Sequence, residues 1–266
     1  MSPYPPPLDQ LLALGGESVR TSGWTNYMEF GLTARQVPEL IRMATDETLL
    51  WAEDGSPELW APVHAWRALG QLRAESAIEP LAGLLTKLDD DDGVLEDLPI
   101  VFALIGGAAI PAMAGILADA TVEIWPRLAA ARALKKTAER YPRTRAEVVA
   151  LLSGRLAKWY RNDEGLNGFL ISYLVDLRAT EAAPLISQAF AAGRVDLLVC
   201  GDWEDVQIEL GLLAERRTPP PRLRPLPPTV SEGIETGGDT GKRTKPSSKA
   251  KRRMARQSRK RNRRRK

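Results

Sequence analysis

The thirteen residues Ala68-Leu-Gly-Gln-Leu-Arg-Ala-Glu-Ser-Ala-Ile-Glu-Pro80 decide how this chain is read. They run as the end of one helix, a tight turn, and a second helix that opens with proline. Proline suits that place because the first helical residue has no intrahelical use for its N–H and proline's fixed φ is already helical. The pattern recurs as Leu32-Thr-Ala-Arg-Gln-Val-Pro38, Ala103-Leu-Ile-Gly-Gly-Ala-Ala-Ile-Pro111 and Leu177-Arg-Ala-Thr-Glu-Ala-Ala-Pro184. The four prolines are 42, 31 and 73 residues apart. The last interval is about two periods of a helical-hairpin repeat, so a unit without its proline is expected between. Leu128–Leu134 followed by Arg145–Leu152 supplies it, with Val148, Leu152, Leu156 and Trp159 on one helical face.

About five hairpins result. Small residues, Ala68, Gly70, Gly106 and Ala131, let paired helices approach, while Leu69, Leu72, Ile78, Leu81, Leu84 and Leu85 fill the space between them. A hairpin of this kind cannot bury its apolar flank alone; stacked neighbours bury it for each other. Aromatic residues make up only 6% of the chain, which favours packed helices over sheets. The expected fold class is all-α, an α-α superhelix.

The pattern resembles HEAT-like repeats, including the short variety first associated with phycobilisome bilin lyases, over residues of about 25 to 190. The runs Trp60–Leu72, Leu166–Leu177 and Gly201–Leu212 are also similar to uncharacterised bacterial HEAT-like proteins. Some of those end in a cysteine-rich SEC-C metal-binding motif, which is absent here, so the resemblance implies a HEAT-like solenoid and no metal function.

Charge divides the chain. The whole has 37 Lys and Arg against 34 Asp and Glu, but residues 242–266 hold 15 of the basic ones and no acid. The body is left with 22 against 34, a net charge near −12. Four parts follow: an N-terminal segment with a first helix (1–24), the repeat domain (25–217), a Pro/Gly-rich linker (218–241) and the basic tail (242–266). Linker and tail have too little apolar content to offset the entropy of ordering, and both are expected to be disordered alone.

The tail carries the strongest functional signal. Lys242, Arg243, Lys245, Lys249, Lys251, Arg252, Arg253, Arg256, Arg259, Lys260, Arg261, Arg263, Arg264, Arg265 and Lys266 suit the neutralisation of phosphates, which is salt-sensitive and largely blind to sequence. No aromatic residue follows position 228 on which bases would stack. RNA, including ribosomal RNA, is favoured over DNA because Arg-rich arms fold readily against folded RNA. The blander reading is that the run solubilises the chain or lies on its own acidic body.

Asp202, Trp203, Glu204 and Asp205 form a candidate partner-binding cluster, although Asp202 followed three residues later by Asp205 is first a helix-start arrangement. Asp89–Asp92 fail the spacing of a calcium loop. His64 has no nucleophile near it in sequence, and the tryptophans read first as core anchors. One histidine and one cysteine, Cys200, make neither a metal cluster nor a disulfide; no cofactor is expected, and a reducing, cytoplasmic setting is. Leu98–Ala118 is uncharged for about a bilayer's thickness, but Pro99, Gly106, Gly107 and Pro111 interrupt it, so a repeat unit is expected rather than a membrane span.

The expected function is a non-enzymatic scaffold or adaptor, whose helical surface docks a protein while the tail tethers it to nucleic acid. The alternatives are a nucleic-acid-modifying enzyme resembling HEAT-like alkylpurine DNA glycosylases, and a bilin-lyase-like protein. The net negative body speaks against the first unless its basic residues gather on one face.

Overall fold

A computed structural model describes residues 4–20, 24–53 and 55–221; the tail 242–266 and the linker beyond Pro221 lie outside the described residues. Among the described residues every regular element is helical. Two short helices, α1 (Asp9–Ala13) and α2 (Glu17–Arg20), and a 3₁₀ turn at Tyr27–Phe30 precede α3 (Val37–Thr45) and α4 (Glu47–Leu50). Four helical hairpins follow: α5 (Ala61–Gln71) with α6 (Ile78–Lys87), α7 (Asp92–Ile105) with α8 (Ile110–Ala118), α9 (Ile124–Arg140) with α10 (Arg145–Leu156), and α11 (Glu164–Asp176) with α12 (Ala183–Ala191). Two short helices, α13 (Leu197–Cys200) and α14 (Trp203–Glu209), close the array.

The first helices of the hairpins, α5, α7, α9 and α11, lie side by side in one layer, and the second helices continue from α3 in another. At the far end α13 packs on α11 and α14 on α12, taking the next place in each layer. One core runs through the stack, from Tyr4, Leu8 and Leu11 to Val206 and Leu210. The N-terminal segment therefore belongs to the same hydrophobic body as the repeats.

Five second helices are each entered through a 3₁₀ turn, at Ala34–Gln36, Glu75–Ala77, Gly107–Ala109, Pro142–Thr144 and Thr180–Ala182. Two details differ from the sequence reading. The first unit has no full first helix, since the 3₁₀ turn Tyr27–Phe30 packs on α5 instead. The fourth unit does have its proline, Pro142, at the start of the turn rather than inside the helix. The other four prolines sit at the second helical position (Pro38, Pro111, Pro184) or the third (Pro80), still within the turn whose N–H groups lack helical acceptors.

The turns explain the repeated Leu-Arg-Ala. After α5, Ala74 N–H donates to the Leu69 carbonyl (3.0 Å) and Arg73 N–H to that of Gly70 (3.0 Å). After α11, Ala179 donates to Leu174 (2.9 Å) and Arg178 to Val175 (2.8 Å). Both are the paired closure in which the residue past the helix turns left-handed, with φ 52° at Arg73 and 53° at Arg178. α7 ends differently, at its C-cap Gly106 with φ 105°, whose N–H donates to the Phe102 carbonyl (3.0 Å). Leu98–Ala118 is thus broken at Gly106 into the end of one helix and the whole of another, and no helix of the described residues is long and apolar enough to cross a membrane.

Candidate functional site

The acidic group at the start of α14 is held by the chain itself. Asp202 and Asp205 form a reciprocal cap, each side chain accepting the other's backbone N–H at 3.0 Å. Arg216 then reaches back over both: its guanidinium donates to Asp202 (Nη1 to Oδ1, 3.0 Å) and to Asp205. That guanidinium holds the Asp202 carboxyl below the usual carboxylate range. Glu204 accepts the backbone N–H groups of Arg217 and Thr218, both at 3.0 Å. Trp203 lies half-buried against Phe190, with ring centroids 5.9 Å apart. The cluster read as a candidate for partner binding is occupied by residues 216–218, and it fastens the end of the folded body.

A polar stripe on α5 was not legible in the sequence. His64, Arg67 and Gln71 lie along one side of the helix and clamp the N-terminal segment. His64 is fully buried. Its Nε2 lies 3.1 Å from the Gly15 carbonyl and so carries the proton, which leaves Nδ1 to accept the Tyr27 hydroxyl at 2.8 Å. Burial depresses the imidazole to about 4 and pushes the Tyr27 phenol up to about 12. Arg67 makes a two-point contact with Asp97 on α7 (Nε to Oδ2 2.9 Å, Nη2 to Oδ1 3.2 Å), donates to the Val19 carbonyl and lies over the Trp24 ring. Gln71 donates to Thr25 O (2.8 Å) and accepts Tyr27 N–H (2.9 Å). Every partner is structural, so His64 has a packing role.

Asp91 caps α7 by accepting Val94 N–H at 3.1 Å, and Asp92 opens that helix. Trp66 is a core anchor, its indole N–H donating to Ala44 O at 2.9 Å. Trp51 and Trp125, by contrast, are 42% and 57% exposed. Trp125 stands in the first turn of α9. Cys200 borders a cleft of about 350 Å³ between α11 and α14, and burial raises its thiol to about 12, far from a reactive thiolate. The fifteen basic tail residues lie outside the described residues.

No family model, curated protein or solved structure matches this chain.

Charge is not spread evenly over the folded body. Residues 124–161, which make the α9–α10 hairpin, hold ten Lys and Arg against two Glu, whereas the rest of the body outside the tail holds 12 against 32. Some of these cations join units together. Lys135 bridges Glu139 and Asp176 (2.9 and 2.8 Å), and Arg145 bonds Leu177 O, Arg178 O and Glu181. Others cap a helix of the preceding hairpin. Arg127 and Arg155, each 8% exposed, reach the last turn of α8, where Arg127 Nε donates to Leu117 O (3.4 Å) and Arg155 Nη1 to Ala118 O (3.3 Å). Arg127 Nη2 and Arg155 Nε find no hydrogen-bond partner. Burial lowers both guanidiniums; Asp119 opposes this at Arg127, while Arg155 is lowered further by Arg127. A running count of charge would have found the hairpin; the pairing of the two arginines needs the fold.

Proposed function

We propose that this protein is a non-enzymatic, HEAT-like scaffold whose basic C-terminal tail attaches it to nucleic acid, RNA in preference to DNA, while the stacked helices present a surface to a protein partner. One observation carries the reading. Fifteen Lys and Arg with no acid stand within residues 242–266, beyond a helical body that is itself net negative. Such a run binds phosphates by displacing counterions, and the acidic body cannot supply that attraction in its place. A two-layer stack of hairpins is an architecture whose extended faces suit protein docking. Asp91, Asp202 and Asp205 are used in helix caps and the last two also in the contact with Arg216, which fits a scaffold better than a catalyst.

The test is removal of residues 242–266, which takes away none of the described core. The shortened chain should keep its helical circular-dichroism signal and melting transition while losing at least tenfold in retention on immobilised RNA at low salt. Equal retention by the two chains would refute the assignment.

A further inference from the structure

The outer end of the α9–α10 hairpin gathers features that the capping of α8 does not explain. Two helix carbonyls can use one arginine each, and a cation at a helix C-terminus is favourable. That accounts for the bonds to Leu117 and Ala118. It does not account for two like charges side by side, nine-tenths buried, with Arg127 Nη2 and Arg155 Nε unpartnered. Asp119 offsets the charge of Arg127 in part, whereas Arg155 has only Arg127 beside it; a buried charge so placed is costly, and an anion is what would complete it. Beside the pair runs a cleft of about 220 Å³ between α8 and α10, walled in part by Arg155 and the exposed Lys158.

The same end displays aromatic surface. Tyr160, two residues past Lys158, is 57% exposed, braced edge-on by Trp159 (centroids 5.6 Å, 85°) and flanked by the Arg161 guanidinium at 5.6 Å. Trp125, at the start of the partner helix, is exposed to the same degree. Cations that track a phosphate backbone, next to rings on which bases stack, form the combination that holds single strands.

We propose that this end of the hairpin is a binding site for single-stranded nucleic acid, with a backbone phosphate received beside Lys158 and the Arg127–Arg155 pair and a base stacked on Tyr160. The inference rests on the attachment to nucleic acid proposed above and adds a contact on the folded body to the one in the tail. The tail supplies attraction without stacking; the hairpin supplies stacking.

The test uses the full chain and its Lys158→Ala/Tyr160→Ala double variant, both positions being exposed, with a fluorescein-labelled oligouridine as probe. The double variant should melt as the parent does, bind roughly tenfold more weakly, and show a salt slope shallower by about 0.7. Unchanged affinity and slope in the variant, with the full chain binding, would overturn the hairpin site and leave the tail attachment standing. A full chain that does not bind oligouridine would overturn both. If the double variant loses polyglutamate as strongly as oligouridine, the surface recognises acidic polymers at large and the nucleic-acid site is refuted.

Discussion

Arg73 and Arg178 hold the same left-handed backbone, φ 52° and 53°, at the same place in two hairpins whose sequences read Leu-Arg-Ala at that turn. Neither is glycine, although the conformation costs an L-residue about 1–2 kcal/mol. The closing hydrogen bonds to Leu69 and Leu174 compensate by satisfying carbonyls that the helix ends leave open.

Arg73→Gly should therefore stabilise the protein by about 0.5–1 kcal/mol, the relief of strain exceeding the backbone entropy that glycine adds. Arg73 has only a distant ring contact to lose, 6.0 Å from Tyr141. The midpoint of urea unfolding checks this, and a lower midpoint would contradict it.

His64 predicts an acid limb in stability. Its imidazole is held neutral with a pKa of about 4 in the fold and returns to its ordinary 6.5 on unfolding. Between those values the unfolded chain binds a proton that the folded chain does not, so stability falls as pH drops from about 6.5 to about 4, by about 3 kcal/mol in all. Above 6.5 the group contributes no slope. His64→Gln should flatten this limb relative to the parent in unfolding titrations across the same range; an unchanged difference between pH 7 and pH 4.5 would contradict the assignment.

Asp97→Ala leaves Arg67 buried without its carboxylate. Removing one partner of such a pair costs about 3–5 kcal/mol, more than its absence from a well-packed apolar core would. Because Arg67 also holds Val19 O and covers Trp24, the N-terminal segment should loosen first. Hydrogen exchange at residues 15–27 should accelerate before that of α9; uniform exchange would contradict the clamp.

Gly168 on α11 sets how closely α13 approaches. A Cβ there would stand 2.9 Å from Val199 Cβ and 3.1 Å from Asp196 O, and neither is the free end of a flexible chain. Gly168→Ala should cost about 1–3 kcal/mol and strip protection from residues 197–209. A stability within error of the parent would mean that α13 shifts without penalty.

The stack of hairpins was legible because its determinants are local. Leucine spacing, the Leu-Arg-Ala turn and a proline in the first helical turn all act within a dozen residues of one another, as at Leu69, Arg73 and Pro80. The fourth unit is legible from Val148, Leu152 and Leu156, each fully buried, although its proline stands at Pro142 and Trp159 falls in the turn past the end of α10. The clamp on α5 was not legible, because His64, Arg67 and Gln71 bond the Tyr27 hydroxyl and backbone groups of a segment 37 to 49 residues earlier, which carries no period to read. The Arg127–Arg155 pair was hidden for the same reason: 28 residues separate two arginines that only the hairpin brings together. Asp202 and Asp205 were legible as a cap, but Arg216, which closes over them, carries no local signature.

The salt dependence of RNA binding by the full chain tests the two-part design most directly. With about seven of the tail's fifteen cations on phosphates at once, affinity for a single-stranded RNA should fall by a factor of about a thousand between about 50 and 200 mM salt, log K declining linearly with log salt concentration. An affinity that holds constant across that range would contradict electrostatic attachment through the tail.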